Sequence, residues 1–386
     1  MEFSKRTQTH KSNIFLVLNQ LRTQVEADGF EVIDLSVGTP DLPPDDFVLA
    51  ELSGRALDPE NYKYSLKDLP QLKQAVANWY SRRYGVSLEE NEIMSVNGSQ
   101  EGIAHLAFPI CNPGDIVLVP NPGYPIFSHG PALAGAKLVE YSLLEENDYQ
   151  IDFDGIDEEI ARAAKMIIIS YPNNPVCAIA KPDFFAKLVD FCRRYDILAV
   201  HDNAYSELVH GVQGTGSFLA QPGAKEVGIE FNSLSKSYNL SGMRVSFCLG
   251  NAEVIKHFSA LRSQIDYGMF YPCQYAAIAA LNGSQDILAR NRDEYSQRRL
   301  ILHNGLKEIG WESKMSLGTM FSWLKIPQGF KNSQEFVIEL IKKAHVCCVP
   351  GDAFGTLGEG YVRMALVQSP EKIKQAVANI GNMLKG

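Results

Sequence analysis

Lys236 is the residue of this chain best placed to act as an amine nucleophile. It lies in the run Ser233-Leu-Ser-Lys-Ser237, directly after an apolar stretch at residues 227–232 that predicts a buried strand. A lysine amine at such a strand end is placed to form a Schiff base with a carbonyl group. Arg244, eight positions on, would add a planar cation suited to phosphate. A lone Ser-x-Ser-Lys is usually an ordinary surface loop, so other segments must support this interpretation.

Three other segments carry polar residues where a strand is predicted to end or a helix to begin. Asp202 follows the apolar run 197–200 and could keep a ring nitrogen protonated. Asn174, in Tyr171-Pro-Asn-Asn-Pro175, could donate to a ring oxygen. The run Asn97-Gly-Ser-Gln-Glu-Gly102 predicts a helix start, where free N–H groups suit a phosphate. Taken singly, each segment is equally well explained by a turn or a helix cap.

The four segments together supply the groups that pyridoxal 5'-phosphate requires. An aspartate that keeps the pyridine ring cationic makes the ring an electron sink. A lysine amine freed beside the substrate Cα can remove the Cα proton as a base and return it as an acid. We therefore predict pyridoxal 5'-phosphate as the cofactor, with Lys236 as the attachment point.

These motifs, in this order, resemble the fold type I pyridoxal-phosphate-dependent aminotransferases of the class I/II family. The resemblance extends from residues 33–41 to Tyr361-Val-Arg-Met364. Asn112-Pro-Gly-Asp115, Asn121-Pro-Gly-Tyr124 and residues 266–270 are most similar to the LL-diaminopimelate, alanine and aspartate aminotransferase branch. The resemblance implies an aminotransferase that moves an amino group between an L-amino acid and a 2-oxo acid through an aldimine on Lys236.

The resemblance also implies roles for individual residues. Lys236, Asp202 and Tyr205 are the expected catalytic residues. The expected cofactor ligands are Gly98, Ser99, Gln100, Tyr124, Asn174, Asp202, Tyr205, Ser233, Ser235, Lys236, Arg244 and Tyr64. The expected substrate ligands are Gly38, Asn174 and Arg363, with the planar fork of Arg363 holding the α-carboxylate.

Tyr64 resembles the tyrosine that reaches the phosphate of the neighbouring subunit, which implies a homodimer with sites shared across the interface. Tyr62 competes with Tyr64 for this assignment. The chain departs from the family pattern after this tyrosine, where Ser65-Leu-Lys-Asp-Leu69 lacks the expected glycine. It also reads Asn174-Pro-Val-Cys177 instead of Asn-Pro-Thr-Gly, and has Ser246 where a glycine is usual. Neither of the last two changes removes an expected cofactor contact.

The predicted elements explain how these distant motifs would meet. Most strand candidates between residues 116 and 249 are continuous apolar runs, which is typical of a parallel sheet covered by helices on both faces. Such sheets bind ligands beyond the carboxyl ends of their strands. Tyr124, Asn174, Asp202 and Lys236 each follow a different predicted strand. The predicted strands are 33–35, 116–119, 137–141, 166–169, 197–200, 227–231, 245–249, 320–324 and 361–366, and the predicted helices are 14–28, 69–84, 286–309 and 333–344.

The expected fold class is α/β. A large domain at residues 45–283 would hold the cofactor on a mainly parallel sheet sandwiched by helices. Residues 1–44 and 284–386 would form a smaller α+β domain. A chain of 386 residues is long enough for two such domains. The strand at residues 245–249 follows the lysine loop closely and is the one expected to run antiparallel.

Composition excludes several classes of protein. A net charge of −9 argues against a general nucleic-acid surface, and no apolar run approaches the ~20 residues of a membrane helix. The polar N-terminal segment lacks the apolar core of a signal peptide. The seven scattered cysteines include no C-x-x-C pair, which indicates reduced thiols and no metal site. We expect a cytoplasmic enzyme whose partners are amino acids, 2-oxo acids and a second copy of the chain.

Several alternatives stay open at this stage. A pyridoxal-phosphate-dependent carbon–sulfur β-lyase on the same scaffold would use the same residues in its first step. An effector domain of a transcription regulator would need a basic helix-turn-helix segment ahead of the fold, and a binding protein without catalysis should have lost Lys236 or Asp202. Arg262 is a candidate second arginine for dicarboxylate substrates, and a solvated helix face explains it equally well.

Overall fold

A computed structural model of the protein describes residues 14–211 and 216–385. Its largest element is a seven-stranded sheet. The strands lie side by side in the order Ile93–Val96, Ser246–Gly250, Gly228–Ser233, Leu198–Asp202, Ala164–Ser170, Ile116–Asn121 and Lys137–Ser142.

Six of these strands run in the same direction, and five of them pair in parallel with their neighbours. Ser246–Gly250 pairs antiparallel with both of its neighbours, as expected from its closeness to the lysine loop. Ile93–Val96, at the sheet edge, is the strand that the sequence did not predict. It is four residues long and contains Ser95, so it offers neither a long apolar run nor a clear alternation.

Both faces of the sheet are covered, which confirms the interpretation of the apolar runs. Side chains alternate between the two faces of a strand. In Ala164–Ser170, Ile167 and Ile169 enter one apolar cluster, whereas Met166 and Ile168 enter a second cluster. Hydrophobic residues are therefore required at each of positions 166–169, and no polar alternation remains in that part of the strand.

Helices connect and cover the strands. Pro70–Tyr84 shows why the predicted ends were accurate, because a proline occupies its first turn and Gly85 ends it in a left-handed conformation with φ of 68°. The helix predicted at 333–344 ends in a π-helical turn, Leu340–Ala344. The α-helices are Ile14–Ala27, Asp46–Ala56, Pro70–Tyr84, Ser99–Ile110, Ile126–Leu133, Glu158–Ala163, Phe184–Tyr195, Ala224–Val227, Leu234–Ser237, Ala252–Arg262, Tyr271–Asn282, Asp286–Glu308, Ser333–Glu339 and Pro370–Lys385. In the parts of the chain that are described, none is long and apolar enough to cross a membrane.

Two small sheets lie outside the central one. Val349–Pro350, Tyr361–Ala365 and Phe321–Lys325 form an antiparallel sheet, and Ile33–Asp34 pairs in parallel with Val346–Cys347. All of these strands belong to the segments assigned by sequence to the smaller domain. The domain boundaries themselves stay a prediction.

Near the predicted site, direct hydrogen bonds join the end of the central strand Ile116–Asn121 to the 3-10 turns at residues 351–358, which connect two strands of the small antiparallel sheet. The Gly123 N–H donates to Phe354 O at 2.7 Å, beside the Tyr124 turn. The Asn121 side chain donates to the Thr356 hydroxyl and accepts from the Leu357 N–H. These bonds hold the turns before the strand Tyr361–Ala365, which carries the predicted substrate arginine, against the loop that carries Tyr124.

Candidate active site

A depression of about 310 Å³ lies where loops leave the carboxyl ends of the parallel strands. Tyr124, Asn174, Asp202 and Lys236 come from four different strand ends and meet there. The complete lining is Gly38, Thr39, Ser99, Gln100, Tyr124, Asn174, Asp202, Ala204, Tyr205, Ser233, Ser235, Lys236, Ser241, Arg244, Phe321 and Arg363.

Most of the residues predicted for the site line this depression. Gly98 lies behind it against Arg244, and Tyr64 lies elsewhere on the surface. Sequence reasoning missed Thr39, Ala204, Ser241 and Phe321. Ser241 belongs to the same polar run as Arg244, which was a usable signal. Phe321 sits in an ordinary apolar strand and carried no signal.

Lys236 lies in the short helix Leu234–Ser237, whose first turn is capped by the Ser233 hydroxyl accepting from the Ser235 N–H at 3.1 Å. Its Nζ donates to the carbonyl oxygen of Gly38. Burial lowers the pKa of Lys236 to about 8, and the positive charges of Arg363 and Arg244 act in the same direction. Lowering the pKa increases the fraction of neutral, nucleophilic amine at neutral pH.

Asp202 is the last residue of the strand Leu198–Asp202, and its Oδ1 is buried without a hydrogen-bond partner among the described residues. Burial raises the pKa of this carboxyl to about 6, although His201, the Ala204 N–H and Lys236 oppose the shift. An unpartnered buried carboxylate oxygen is costly. A cationic N–H such as that of a pyridinium ring would remove that cost.

The phosphate end of the depression is built around Arg244. Gly98 has φ of 97°, and a Cβ at this position would overlap the Arg244 guanidinium. Arg244 itself has a left-handed backbone, and its Nη1 donates to Ser241 O at 2.9 Å. The helix Ser99–Ile110 begins here, so its first N–H groups are free of intrahelical partners. Arginine, serine hydroxyls and free N–H groups together suit a phosphate dianion.

Arg363 is a buried cation held at the other end of the depression. Its guanidinium lies between the rings of Phe321 and Phe354, at 4.2 and 4.7 Å from their centroids. Nη1 donates to Asn174 Oδ1 at 2.8 Å and Nη2 to Ser36 O at 3.2 Å. Burial lowers the pKa of Arg363. Both of its partners are neutral, so a substrate carboxylate would supply the counter-charge that this cation lacks.

Two tyrosines complete the lining. The Tyr124 hydroxyl donates to Gln100 Oε1 at 3.1 Å. Tyr205 is buried and packs edge-on against Phe321, with ring centroids 5.9 Å apart. Burial raises the pKa of both hydroxyls, so both are protonated donors at neutral pH.

Arg262 fits neither of the interpretations offered by the sequence. It is 6% exposed, which excludes a solvated helix face. It donates to Asp266 Oδ2 at 2.7 Å and to the carbonyl oxygen of Ser95. It does not line the depression, where a second substrate arginine would have to lie.

The residues of the depression fit pyridoxal 5'-phosphate. A carboxylate oxygen without a partner, an amine with a lowered pKa and a phosphate cradle stand around one cavity. Within residues 14–211 and 216–385, no group of three or more His, Cys, Asp or Glu side chains could hold a metal ion.

Comparisons with known proteins agree with this chemistry. A family model described as "Aminotransferase class I and II" matches residues 31–380. The chain is 41% identical over 384 residues to the LL-diaminopimelate aminotransferase of Halothermothrix orenii, covering 99% of this chain and 98% of that protein. It is 40% identical over 385 residues to the protein of the same name from Aquifex aeolicus, covering 99% of both.

Solved structures show the same architecture. Apo-BacF from Bacillus subtilis superimposes with a TM-score of 0.95 at 35% identity, covering 99% of this chain and 98% of that one. A probable N-succinyldiaminopimelate aminotransferase from Thermus thermophilus superimposes with a TM-score of 0.92 at 33% identity, covering 96% and 100% of the two chains. These similarities extend over nearly the whole chain, small sheets included.

Proposed function

Because the chain belongs to the class I and II aminotransferases and is a pyridoxal-phosphate-dependent transaminase, we propose that Lys236, Asp202 and Tyr205 carry out its amino transfer. The observation that supports this assignment is that the Lys236 amine and the Asp202 carboxylate line the same cavity. Lys236 has a lowered pKa, and Asp202 presents a buried oxygen without a partner. The further steps below rest on the same cavity.

The cofactor would be held along the length of the depression. Asp202 would accept from the ring nitrogen, and Tyr124 would lie against the ring face. Ser99, Ser233, Ser235 and Arg244, with Gln100 and the glycine turn at Gly98, would hold the phosphate. When bound, the cofactor supplies an electron sink for the carbanion formed at the substrate Cα.

Asn174 would contact both the cofactor and the substrate. Its Oδ1 already accepts from Arg363, so its amide N–H groups remain to donate to the ring oxygen. The Tyr205 hydroxyl, protonated because burial raises its pKa, would donate to the same oxygen. A change at Arg363 would therefore also disturb the orientation of Asn174.

Lys236 would move the proton at the substrate Cα. It would first accept this proton as a base. It would then deliver the proton as an acid to the carbon atom of the cofactor that is to carry the amino group. The nearby charges of Arg363 and Arg244 keep the amine easy to deprotonate. Arg363 would bind the α-carboxylate and the Gly38 backbone would close over it, which fixes Cα beside Nζ.

We also propose that two copies of the chain form the active unit. Leu57, Tyr62, Tyr64, Leu66, Tyr267 and Phe270 are all exposed large hydrophobic residues. Large exposed apolar patches mark protein interfaces. Tyr64 is 76% exposed and packs edge-on against Tyr267, whereas the Tyr62 hydroxyl donates to Ala56 O within its own chain. This difference favours Tyr64 as the residue that reaches the partner's phosphate.

Two further proposals concern the domain organisation of the chain and the compartment in which the protein works. Residues 45–283 would act as the cofactor domain, and residues 1–44 with 284–386 as the domain that carries Arg363. All seven cysteines are free, and Cys273 alone is not fully buried. These free thiols support a reducing compartment, the cytoplasm.

The decisive experiment measures oxo-acid products from a panel of L-amino acids. With pyruvate, phenylpyruvate and 2-oxoglutarate each tried as acceptor, we expect at least one of them to be converted to its amino acid in amounts equal to the new oxo acid. LL-diaminopimelate belongs in the panel because relatives carry that name. A carbon–sulfur β-lyase would instead release pyruvate and ammonia from a cysteine-type substrate without any acceptor. Such release, with no amino acid formed from any of the three acceptors, would contradict the proposed function.

A further inference from the structure

A second depression adjoins the site at the substrate arginine. It measures about 320 Å³ and shares Gly38, Gln100, Tyr124 and Arg363 with the first. The remaining residues around it are Ser36, Val37, Pro125, Ile126, His129 and Phe354. The two depressions therefore meet at the group proposed to bind the substrate α-carboxylate.

The position of the α-carboxylate determines where a substrate side chain can go. The amino group must lie near Lys236, and the carboxylate near Arg363. The serine and Arg244 end of the first depression would be filled by the cofactor phosphate. The second depression is therefore the space that remains open to a side chain leaving Cα, and Phe354, at 4.7 Å from the Arg363 guanidinium, lies at its entrance.

The walls of this second depression are mainly apolar. Val37, Pro125, Ile126 and Phe354 form its hydrophobic surface. The Tyr124 hydroxyl already donates to Gln100 Oε1. Burial of a leucine or phenylalanine side chain against such walls would remove apolar surface from water, and each buried methylene favours binding by roughly tenfold or more.

A charged side chain would find no matching charge in these walls. Among the described residues, the walls include no aspartate, glutamate or lysine. Arg363 is committed to Asn174, Ser36 and the α-carboxylate. His129 lies on the exposed rim, where solvent screens charge interactions. A charged side chain packed against these apolar walls would lose part of its hydration without gaining an ion pair from the described lining residues.

We propose that this transaminase takes its amino group from L-amino acids with uncharged, apolar side chains, which bind against Val37, Ile126 and Phe354. The proposal rests on the proposed site roles and narrows the substrate class. The proposed substrate preference differs from the one implied by the name of the LL-diaminopimelate aminotransferases. The side chain of LL-diaminopimelate ends in a second ammonium and a second carboxylate.

The first test compares amino donors in the holoenzyme with a fixed 2-oxo acid acceptor. We expect kcat/KM for L-leucine or L-phenylalanine to exceed that for LL-diaminopimelate by at least tenfold. An equal or higher kcat/KM for LL-diaminopimelate would overturn the proposal and would indicate that a second copy of the chain supplies its counter-charges.

A binding experiment tests the side-chain pocket without turnover. In the holoenzyme, 4-methylpentanoate and glutarate each offer one carboxylate to Arg363 and differ in the group at the other end. We expect at least tenfold tighter binding of 4-methylpentanoate by calorimetry. Equal or tighter binding of glutarate would overturn the proposal. If the expected preference is found in a protein that transfers no amino group, the side-chain pocket is supported and the proposed function fails.

A substitution that adds a cation should reverse the preference. Val37 is 48% exposed, so Val37→Lys is compatible with the fold and places an ammonium beside the second depression. We expect the ratio of kcat/KM for L-glutamate over L-leucine to rise at least tenfold. Leu133→Lys is the matched control, since Leu133 is 37% exposed and lies outside both depressions. An unchanged ratio in Val37→Lys would place the side chain elsewhere.

Discussion

The environment of Lys236 sets the state of its amine. An ordinary lysine has a pKa near 10.5, and burial with two neighbouring arginines lowers this one to about 8. The neutral amine attacks a carbonyl and the ammonium does not. This arrangement lowers the free energy of unfolding of the protein. The full cost is present below about pH 8, where the folded protein holds the ammonium in a buried site, and it disappears as the pH rises to the ordinary value of 10.5.

We expect the apoprotein to attach pyridoxal 5'-phosphate at a rate that rises with pH and levels off above about pH 8. Below this pH, Lys236 is an ammonium and attachment slows tenfold per pH unit. Arg363→Met removes one of the charges that lower the pKa, so the midpoint should move upward. Stopped-flow absorbance across a pH series measures both midpoints. An unchanged profile in Arg363→Met would show that burial alone sets the pKa.

Lys236→Ala should abolish turnover and leave the fold intact, because Lys236 lines a cavity and its Nζ donates to the Gly38 carbonyl, a bond that the fold can lose at little cost. After borohydride reduction, the wild-type protein should retain the mass of the cofactor and the variant should not. Lys187→Ala is the control, as its amine pairs with Asp183 on the surface. Retention of the reduced cofactor by Lys236→Ala would move the attachment to another lysine.

Asp202→Asn should separate catalysis from cofactor binding. The amide cannot hold the ring nitrogen protonated, so exchange of the substrate Cα proton should fall by a hundredfold or more, on the order of 3 kcal/mol. The phosphate contacts at Ser99, Ser233 and Arg244 are untouched, so cofactor affinity should change far less. Deuterium exchange at Cα, followed by NMR, measures the first quantity, and a normal exchange rate would show that another residue faces the nitrogen.

At the scale of elements, the turn before the helix Ser99–Ile110 is where the backbone would meet the phosphate in the proposed site. Gly98→Ala should weaken cofactor binding by at least tenfold, since its Cβ would overlap the Arg244 guanidinium and φ of 97° disfavours a side chain. Equilibrium dialysis of pyridoxal 5'-phosphate measures the effect. Gly54→Ala, in an open position on a helix, should leave the affinity unchanged.

The strand pair Leu198–Asp202 and Gly228–Ser233 carries a buried polar network beside Asp202. Glu230 accepts from Tyr80, Ser217 and the Phe218 N–H, each at 2.8 Å, and lies 3.0 Å from His201 Nδ1. Glu230→Ala leaves these buried donors without an acceptor, which should cost roughly 3–5 kcal/mol of unfolding free energy. Urea unfolding measures it. Glu253→Ala, at an exposed pair with Lys256, should cost less than about 1 kcal/mol.

Elements with a strong local signal could be predicted from the sequence. The apolar runs identified the parallel strands, and the helix predicted at 69–84 is observed as Pro70–Tyr84, with Pro70 in its first turn. The strand Ile93–Val96 was missed because four residues carry too little pattern, and its place in the sheet depends on Ser246–Gly250, far away in the chain.

Site residues divide in the same way. Lys236, Asp202 and Asn174 stand in recognisable motifs after strands. Phe321 contacts Arg363 through a cation–π interaction. The two residues lie on strands that are neighbours in the sheet but far apart in the sequence, so no local sequence pattern indicates the contact. The second depression likewise combines Val37, Ile126 and Phe354 from three separate segments. Its existence could not be read from spacing along the chain.

At the scale of the whole molecule, the exposed aromatic surface is the feature that a single chain leaves unexplained. Tyr62 packs edge-on against Phe270 and Tyr64 against Tyr267, at centroid distances of 5.3 and 4.9 Å. These pairs fix four large rings at the surface. Water contact with such rings is unfavourable, and a second copy of the chain would cover them. We therefore expect a dimer in sedimentation velocity, and a monomeric active enzyme would contradict the shared site.

Complementation between two damaged chains tests whether Tyr64 acts across that interface. Lys236→Ala is inactive because it lacks the amine, and Tyr64→Ala should bind the cofactor weakly, so its activity should be lost at limiting pyridoxal 5'-phosphate. In a heterodimer, the Tyr64→Ala chain keeps its own Lys236 and receives an intact Tyr64 from its partner. One of the two sites then has all its parts. We expect mixed chains to recover up to half of the wild-type activity per heterodimer, with cofactor affinity restored at that site. Tyr62→Ala, mixed in the same way, is the matched control and should show no comparable loss of cofactor affinity to rescue. If chains shown to exchange subunits regain nothing, Tyr64 acts within its own chain and the composite site is wrong.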